Sequence, residues 1–252
     1  MIKLTVTRND ELYECFPDIA AAQDGTLVCT YRESLAHGAR PFSRVVVRRS
    51  ADGGLTWQAR QVLLAKNWER GEGDLNCPRI AALADGSLLL VIDHLPHGAE
   101  NHEAPVRILL FRSADSGRTW QGPEDTGITV GIVPSIKQLS NGDLLLGLTR
   151  EAYCSGSAGP IDEEQLIYRS RDLGRTWEGP AAVPGFRRLE LNEGDFAELD
   201  DGTLVCYMRE DRERLTGWKS LSHDGGRTWS EPFRAAMCAC LGRPSVGRLR
   251  SG

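Results

Sequence analysis

Short apolar runs alternate with polar turns along the whole chain. LVCTY, VVV, LLLVI, ILLF, LLLGL and LVCYM are each bounded by glycine, aspartate, asparagine or arginine. Runs of this length, rich in valine, isoleucine and aromatic residues and closed by turn formers, predict β-strands. The 3.6-residue apolar period of an amphipathic helix is absent almost everywhere. Asp-Gly between two apolar runs predicts a tight hairpin, because glycine tolerates positive φ and aspartate bonds to nearby backbone.

The pattern repeats. FPDIAAAQDGTLVCTYRE from residue 16, CPRIAALADGSLLLVIDH from 77, VPSIKQLSNGDLLLGLTR from 133 and EGDFAELDDGTLVCYMRE from 193 align without gaps. RPSVGRLRSG from 243 begins a fifth copy. The hairpin glycines are Gly25, Gly86, Gly142, Gly202 and Gly252, at intervals of 50 to 61 residues. In the first copy the predicted strands are Pro17–Ala22, Thr26–Tyr31, Ser43–Arg49 and Thr56–Leu64. Four strands per unit at this period predict an all-β fold of propeller blades, expected as one domain over residues 1–252.

Between the third and fourth strands lies a second motif: RSADGGLTW at 49, RSADSGRTW at 112, RSRDLGRTW at 169 and LSHDGGRTW at 221. The aspartates Asp52, Asp115, Asp172 and Asp224 are placed to accept backbone N–H groups across the turn. Trp57, Trp120, Trp177 and Trp229 are placed to pack between blades. Each copy has one constant carboxylate, whereas calcium takes about six to eight oxygens, so the motif reads as a turn and no metal is expected.

The motif S-x-D-x-G-x-T-W resembles the Asp box, or BNR repeat, of the sialidase (neuraminidase) superfamily. The resemblance covers nearly the whole chain and implies a six-bladed β-propeller. Four blades and the start of a fifth are expected here, so the chain reads as C-terminally incomplete. A ring cut there leaves an unpaired strand edge. The chain therefore reads as a fragment or a shortened gene product; alternatively, the N-terminal IKLTVT segment closes a blade, or self-association with a second copy covers the edge.

Composition narrows the partners. The chain has 252 residues, 40% hydrophobic and 26% charged, with a formal charge of −5. It has no basic stripe for nucleic acid and no apolar run near the roughly 18 residues of a membrane helix. MIKLTVTRNDEL lacks the order of a signal peptide, so a cytoplasmic location is expected. Seven cysteines show no disulfide spacing. Cys29 and Cys206 read as buried thiols, and Cys238-Ala239-Cys240 is a weak metal or redox signal without a second pair.

In a propeller the first strand of each blade lines the central channel, and its start meets the end of the second strand at one mouth. The repeat alignment puts Asp18, Arg79, Ser135, Glu193, Asp195, Arg243 and Ser245 at the strand starts. It puts Arg32, Glu33, Asp93, His94, Thr149, Arg150, Glu151, Arg209 and Glu210 at the second-strand ends. These groups form either a solvated rim of ion pairs, each worth under about 1 kcal/mol, or a funnel for an anionic sugar, since arginine's planar fork matches a carboxylate. His94 is also a candidate proton carrier. With His97 and His102 it could alternatively face one metal, though loop histidines are usually polar surface.

The sialidase resemblance implies roles for two of these residues. Family members carry a glutamate nine residues before a middle blade's hairpin glycine and an arginine seven residues after it; here these are Glu193 and Arg209. In the family the glutamate partners a tyrosine nucleophile, and the arginine belongs to a triad that grips the sialic acid carboxylate. The family's first triad arginine is replaced by Cys15-Phe16-Pro17. The segment Arg32–Arg44 offers Glu33 and His37 where an acid/base aspartate is expected. Glu193, Arg209, His94 and Asp93 are thus the catalytic candidates, and Asp18, Arg32, Arg79, Arg150, Glu151, Asp195 and Arg243 the substrate-binding candidates. The expected function is sialidase-like exo-glycoside hydrolysis of a terminal acidic sugar, without a cofactor. The alternatives are a non-catalytic carbohydrate-binding propeller and a uronate lyase.

Overall fold

The computed structural model describes residues 3–37, 41–98, 104–150, 164–185, 189–210, 217–236 and 242–247. The fold is all-β, built from the four-stranded sheets of propeller blades. Among the described residues the single helical element is a 3-10 turn, Trp68–Arg70. The chain divides into two compact units, residues 1–129 and 130–252.

The first unit holds two sheets. β1 (Tyr13–Ala21), β2 (Leu27–Ser34), β3 (Phe42–Ser50) and β4 (Gln61–Asn67) pair antiparallel in chain order. In the second sheet the inner strand is broken: β5 (Asp74–Leu75) and β6 (Arg79–Ala82) both pair with β7 (Leu88–Leu95). β8 (Arg107–Ser113) and β9 (Gln121–Asp125) follow. Val45, Val47, Leu75, Leu90, Ile92, Leu109 and Phe111 form a buried cluster shared by the two sheets. Each such side chain contributes roughly 1.5–3 kcal/mol by leaving water.

The second unit repeats the plan. β10 (Ile132–Gln138), β11 (Leu144–Arg150), β12 (Glu164–Ser170) and β13 (Glu178–Ala182) make one sheet. β14 (Leu191–Glu198), β15 (Leu204–Glu210), β16 (Trp218–Ser222) and β17 (Phe233–Arg234) make the next. Leu139, Leu145, Ile167, Phe196, Leu204, Cys206 and Trp229 are buried together between them.

The hairpin glycines Gly25, Gly86, Gly142 and Gly202 have φ between 81° and 90°, the left-handed region that an L side chain enters at a cost. The repeated acidic motif is a turn closed by its own side chains. Ser50 Oγ donates to Asp52 Oδ1 at 2.7 Å and accepts the Gly54 N–H at 2.8 Å. Asp52 Oδ1 accepts the Thr56 N–H at 2.9 Å, and Oδ2 accepts its hydroxyl at 2.5 Å. Trp57 Nε1 donates to Gly54 O at 3.1 Å. The Ser–Asp–Thr bonds recur at Asp115, Asp172 and Asp224. Because Thr56 and Trp57 belong to the turn, β4 starts at Gln61, five residues later than the apolar pattern predicted. Trp120 packs on Ala20 and Val28 of the first sheet and on Ile80 of its own, and Trp229 lies 5.8 Å from Phe196 between ring centroids. Trp57 instead packs on its own sheet together with Val6 of the N-terminal segment.

Candidate functional site

The start of the inner strand carries the same distortion in three blades. Register shifts fall between Cys15 and Asp18, between Ile132 and Ser135, and between Asn192 and Asp195. Inside each shift one non-glycine residue has left-handed φ: Phe16 at 53°, Val133 at 55° and Glu193 at 50°. All three lie nine residues before their hairpin glycine. A bulge of this kind frees backbone groups from the ladder and re-aims a side chain, and strained backbone of this sort gathers at functional sites. In the second blade the gap between β5 and β6 takes this place, with Cys77 in it. Nothing in the sequence marked the bulges, since glycine and asparagine, the usual signals for positive φ, are absent from these positions.

In the second unit the bulge brings Glu193 to Arg209. Asn192 and Arg209 are register partners across β14 and β15. Glu193, one residue on, accepts a hydrogen bond at Oε2 from Arg209 Nη1 at 3.1 Å. Both side chains are partly exposed. The Glu193 N–H is held by Thr149 Oγ1 at 2.8 Å, and the next N–H, Gly194, by Gln165 Oε1 at 2.6 Å. The pair can offer a carboxylate base and a cationic fork side by side.

Asp195 does structural work. It is 7% exposed. Its Oδ1 accepts the Ser135 hydroxyl at 2.6 Å, its Oδ2 accepts the Val246 N–H at 2.7 Å, and Lys137 Nζ lies 3.4 Å away. Arg243 donates through Nη2 to Pro134 O. Arg150 pairs with Glu164 at 2.9 Å. Glu151, His102 and the Cys238–Cys240 pair lie outside the described residues.

In the first unit Asp18 repeats the tie made by Asp195. Its Oδ2 accepts the Ile80 N–H at 3.0 Å, and its Oδ1 the N–H of Ile19 at 2.9 Å. Ile80 and Val246 stand at equivalent repeat positions, so both aspartates tie their inner strand to the same position of the following repeat. Arg79 donates through Nη1 to the carbonyls of Phe16 and Pro78, at 3.3 and 3.1 Å. Two of the candidates are buried. Arg32 is 3% exposed, and its Nη2 contacts both oxygens of the buried Asp74, at 3.2 and 3.1 Å. Asp93 is fully buried, accepting the Cys77 N–H at 2.8 Å and the Asn76 amide at 2.9 Å. Both hold the inner strand in place and face no open surface. Glu33 is equally buried, paired with Arg60 at 2.5 Å.

His94 Nε2 lies 2.9 Å from Glu72 O. A carbonyl only accepts, so Nε2 carries the proton. Burial lowers the His94 pKa, against the opposing pull of the Glu72 carbonyl, and the ring is neutral near pH 7. His97 stacks on Trp68 at 4.5 Å. Among the described residues no three His, Cys, Asp or Glu side chains are grouped to hold a metal, and no helix is long and apolar enough to cross a membrane. Burial pushes the Cys15 and Cys29 thiols up to about 11, which removes them as nucleophiles at neutral pH. A cavity of about 260 Å³ in the second unit is lined by Lys137, Leu139, Phe196, Glu198 and Val246. Glu193 and Arg209 are not part of its wall, and both side chains are partly exposed.

Comparison with known proteins places these features in a family. Residues 25–240 match the family model described as BNR repeat-like domain. A sialidase of Bacteroides fragilis (strain YCH46) is 25% identical over 242 residues, covering 85% of this chain. The chain spans about two fifths of that relative's length, 42%. Among solved structures, a protein of unknown function from Dyadobacter fermentans DSM 18053 superposes with a TM-score of 0.74 at 20% identity, over 93% of this chain and 72% of the other. The intramolecular trans-sialidase of Ruminococcus gnavus superposes with a TM-score of 0.67 at 16% identity, over 90% and 71%. At these identities the two structures speak for the fold alone.

Proposed function

The chain belongs to the BNR repeat-like domain family of the sialidase-type β-propeller superfamily, and on that premise we propose that it is a sialidase-like exo-glycoside hydrolase acting on a terminal acidic sugar. The observation that carries this reading is the Glu193–Arg209 pair, 3.1 Å apart, with its carboxylate borne on a left-handed bulge residue. The Bacteroides fragilis relative, named a sialidase, supports the same class of chemistry.

In this reading Arg209 binds the sugar carboxylate through its planar fork. Glu193 takes the proton of a phenolic nucleophile as that oxygen attacks the anomeric carbon.

Glu193→Gln tests the reading with a panel of aryl sialosides and other aryl glycosides. Loss of turnover for one acidic sugar, with the fold intact, supports it; unchanged turnover removes Glu193 from the mechanism. A carbohydrate-binding propeller without catalysis is the second reading. It is favoured by Phe16 standing at the first-blade position of Glu193 and by the burial of Arg32 against Asp74. Glycan binding without product release would select it.

A further inference from the structure

Two residues of the neighbouring blade control the backbone that carries Glu193. The bulge between Asn192 and Asp195 leaves the Glu193 and Gly194 N–H groups outside the β14–β15 register, and buried backbone donors must find partners elsewhere. Both partners come from a single cross-strand pair. Thr149 at the end of β11 and Gln165 near the start of β12 are register partners, 0% and 1% exposed.

Thr149 Oγ1 accepts the Glu193 N–H at 2.8 Å. Gln165 Oε1 accepts the Gly194 N–H at 2.6 Å, while its Nε2 donates to Leu148 O at 3.2 Å and Leu166 O at 3.1 Å. Both amide ends of Gln165 are therefore engaged, and its orientation is fixed. The contact is close: a Cβ on Gly194 would stand 2.6 Å from Gln165 Oε1 and 2.9 Å from Cys206 Sγ. Two consecutive N–H groups gripped by two buried acceptors determine the peptide planes on either side of Glu193. They thereby determine where its carboxylate leaves the strand.

We propose that Thr149 and Gln165 are positioning residues that hold Glu193 in its left-handed bulge and aim its carboxylate at Arg209. This rests on the reading of Glu193 as the base, because the pair acts only through it.

Thr149→Val in the full chain keeps the shape and removes the acceptor, and Thr149→Ser restores it. Amide hydrogen exchange at Glu193 and the NMR-detected titration of its carboxyl report geometry directly; kcat, KM and the acid limb of the pH–rate profile report chemistry. The expected result for Thr149→Val is faster Glu193 amide exchange and a shifted carboxyl titration. With these comes a fall in kcat of about ten- to a hundredfold at nearly unchanged KM, and Thr149→Ser recovers all of them. Unchanged exchange and titration in Thr149→Val overturn the positioning role. So does unchanged kcat in Thr149→Val when Glu193→Gln is inactive. If Glu193→Gln stays fully active, the catalytic reading falls by itself, and exchange and titration alone decide the positioning. Should Thr149→Val fail to fold, Gln165→Glu, which loses the two Nε2 donors, is judged by the same readouts.

Discussion

Glu193 Oε2 accepts a hydrogen bond from Arg209 Nη1 across 3.1 Å, although 16 residues of hairpin separate the two in the chain. The contact exists because β14 and β15 place Asn192 opposite Arg209 and the bulge then turns the next side chain toward the same partner.

Arg209 should therefore matter beyond its charge. Arg209→Lys keeps a cation but loses the planar fork. A charge-assisted bond of this type is worth about 1.5–3 kcal/mol, or about ten- to a hundredfold. KM for an acidic sugar should rise by that factor in Arg209→Lys, while a neutral glycoside should be unaffected. Steady-state kinetics on the two substrates check it.

The Asp-box turns predict acid sensitivity. Hydrogen bonds from Thr56, then from Ser50, hold Asp52 at about 2, and Thr176 and Ser170 do the same for Asp172. In Asp115 and Asp224 burial pulls the other way, yet the bonds from Thr119 and Thr228 still bring the carboxyls to about 2. Folded values below the unfolded value of about 3.9 mean stability that is complete above pH ~4 and is lost as pH falls toward 2. Thermal melts from pH 6 to 2 should show this loss, and Asp52→Asn with Asp172→Asn should reduce its slope.

His94 gives a second, separable pH effect. Burial lowers its pKa, so the unfolded chain binds the proton more readily. The resulting stability is complete above about pH 6.5 and declines as pH falls below it. His94→Gln should remove this decline between pH 7 and 5, measured as the difference in melting temperature from wild type.

Asp18 and Asp195 should behave as tethers. Asp195→Ala strands the Val246 N–H and the Ser135 hydroxyl, and Asp18→Ala strands the Ile80 N–H. An unsatisfied buried donor costs about 1–3 kcal/mol, and each kcal/mol lowers Tm by roughly 2–4 °C in a chain of this size. Calorimetry should find that drop. Lost substrate affinity at unchanged Tm would instead mark these aspartates as ligand contacts.

The blades were legible because the hairpin glycines and Asp boxes recur in register, and each is local chemistry: a positive φ, a side chain closing its own turn. Glu193 and Arg209 were legible through the alignment of the repeats and the resemblance that they carry. What stayed hidden depends on neighbours. The ties from Asp18 to Ile80 and from Asp195 to Val246 cannot be read from one strand, because the acceptor sits one blade away from its donor. Arg32 and Asp93 looked like rim residues by position. Asp74, Asn76 and Cys77 bury them, and the broken inner strand that supplies those partners follows no apolar rhythm. Thr149 and Gln165 carried no signal, since threonine and glutamine are ordinary in strands.

The Ser–Asp–Thr bonds that close each Asp-box corner all lie within nine consecutive residues. Gene duplication can therefore copy such a corner whole, and it will close wherever the copy lands. Glu193 depends on two residues of the preceding module, so a duplicated fourth module would reproduce the architecture without reproducing the reactive geometry. Inheritance of the scaffold and inheritance of the chemistry are in this way uncoupled, module by module.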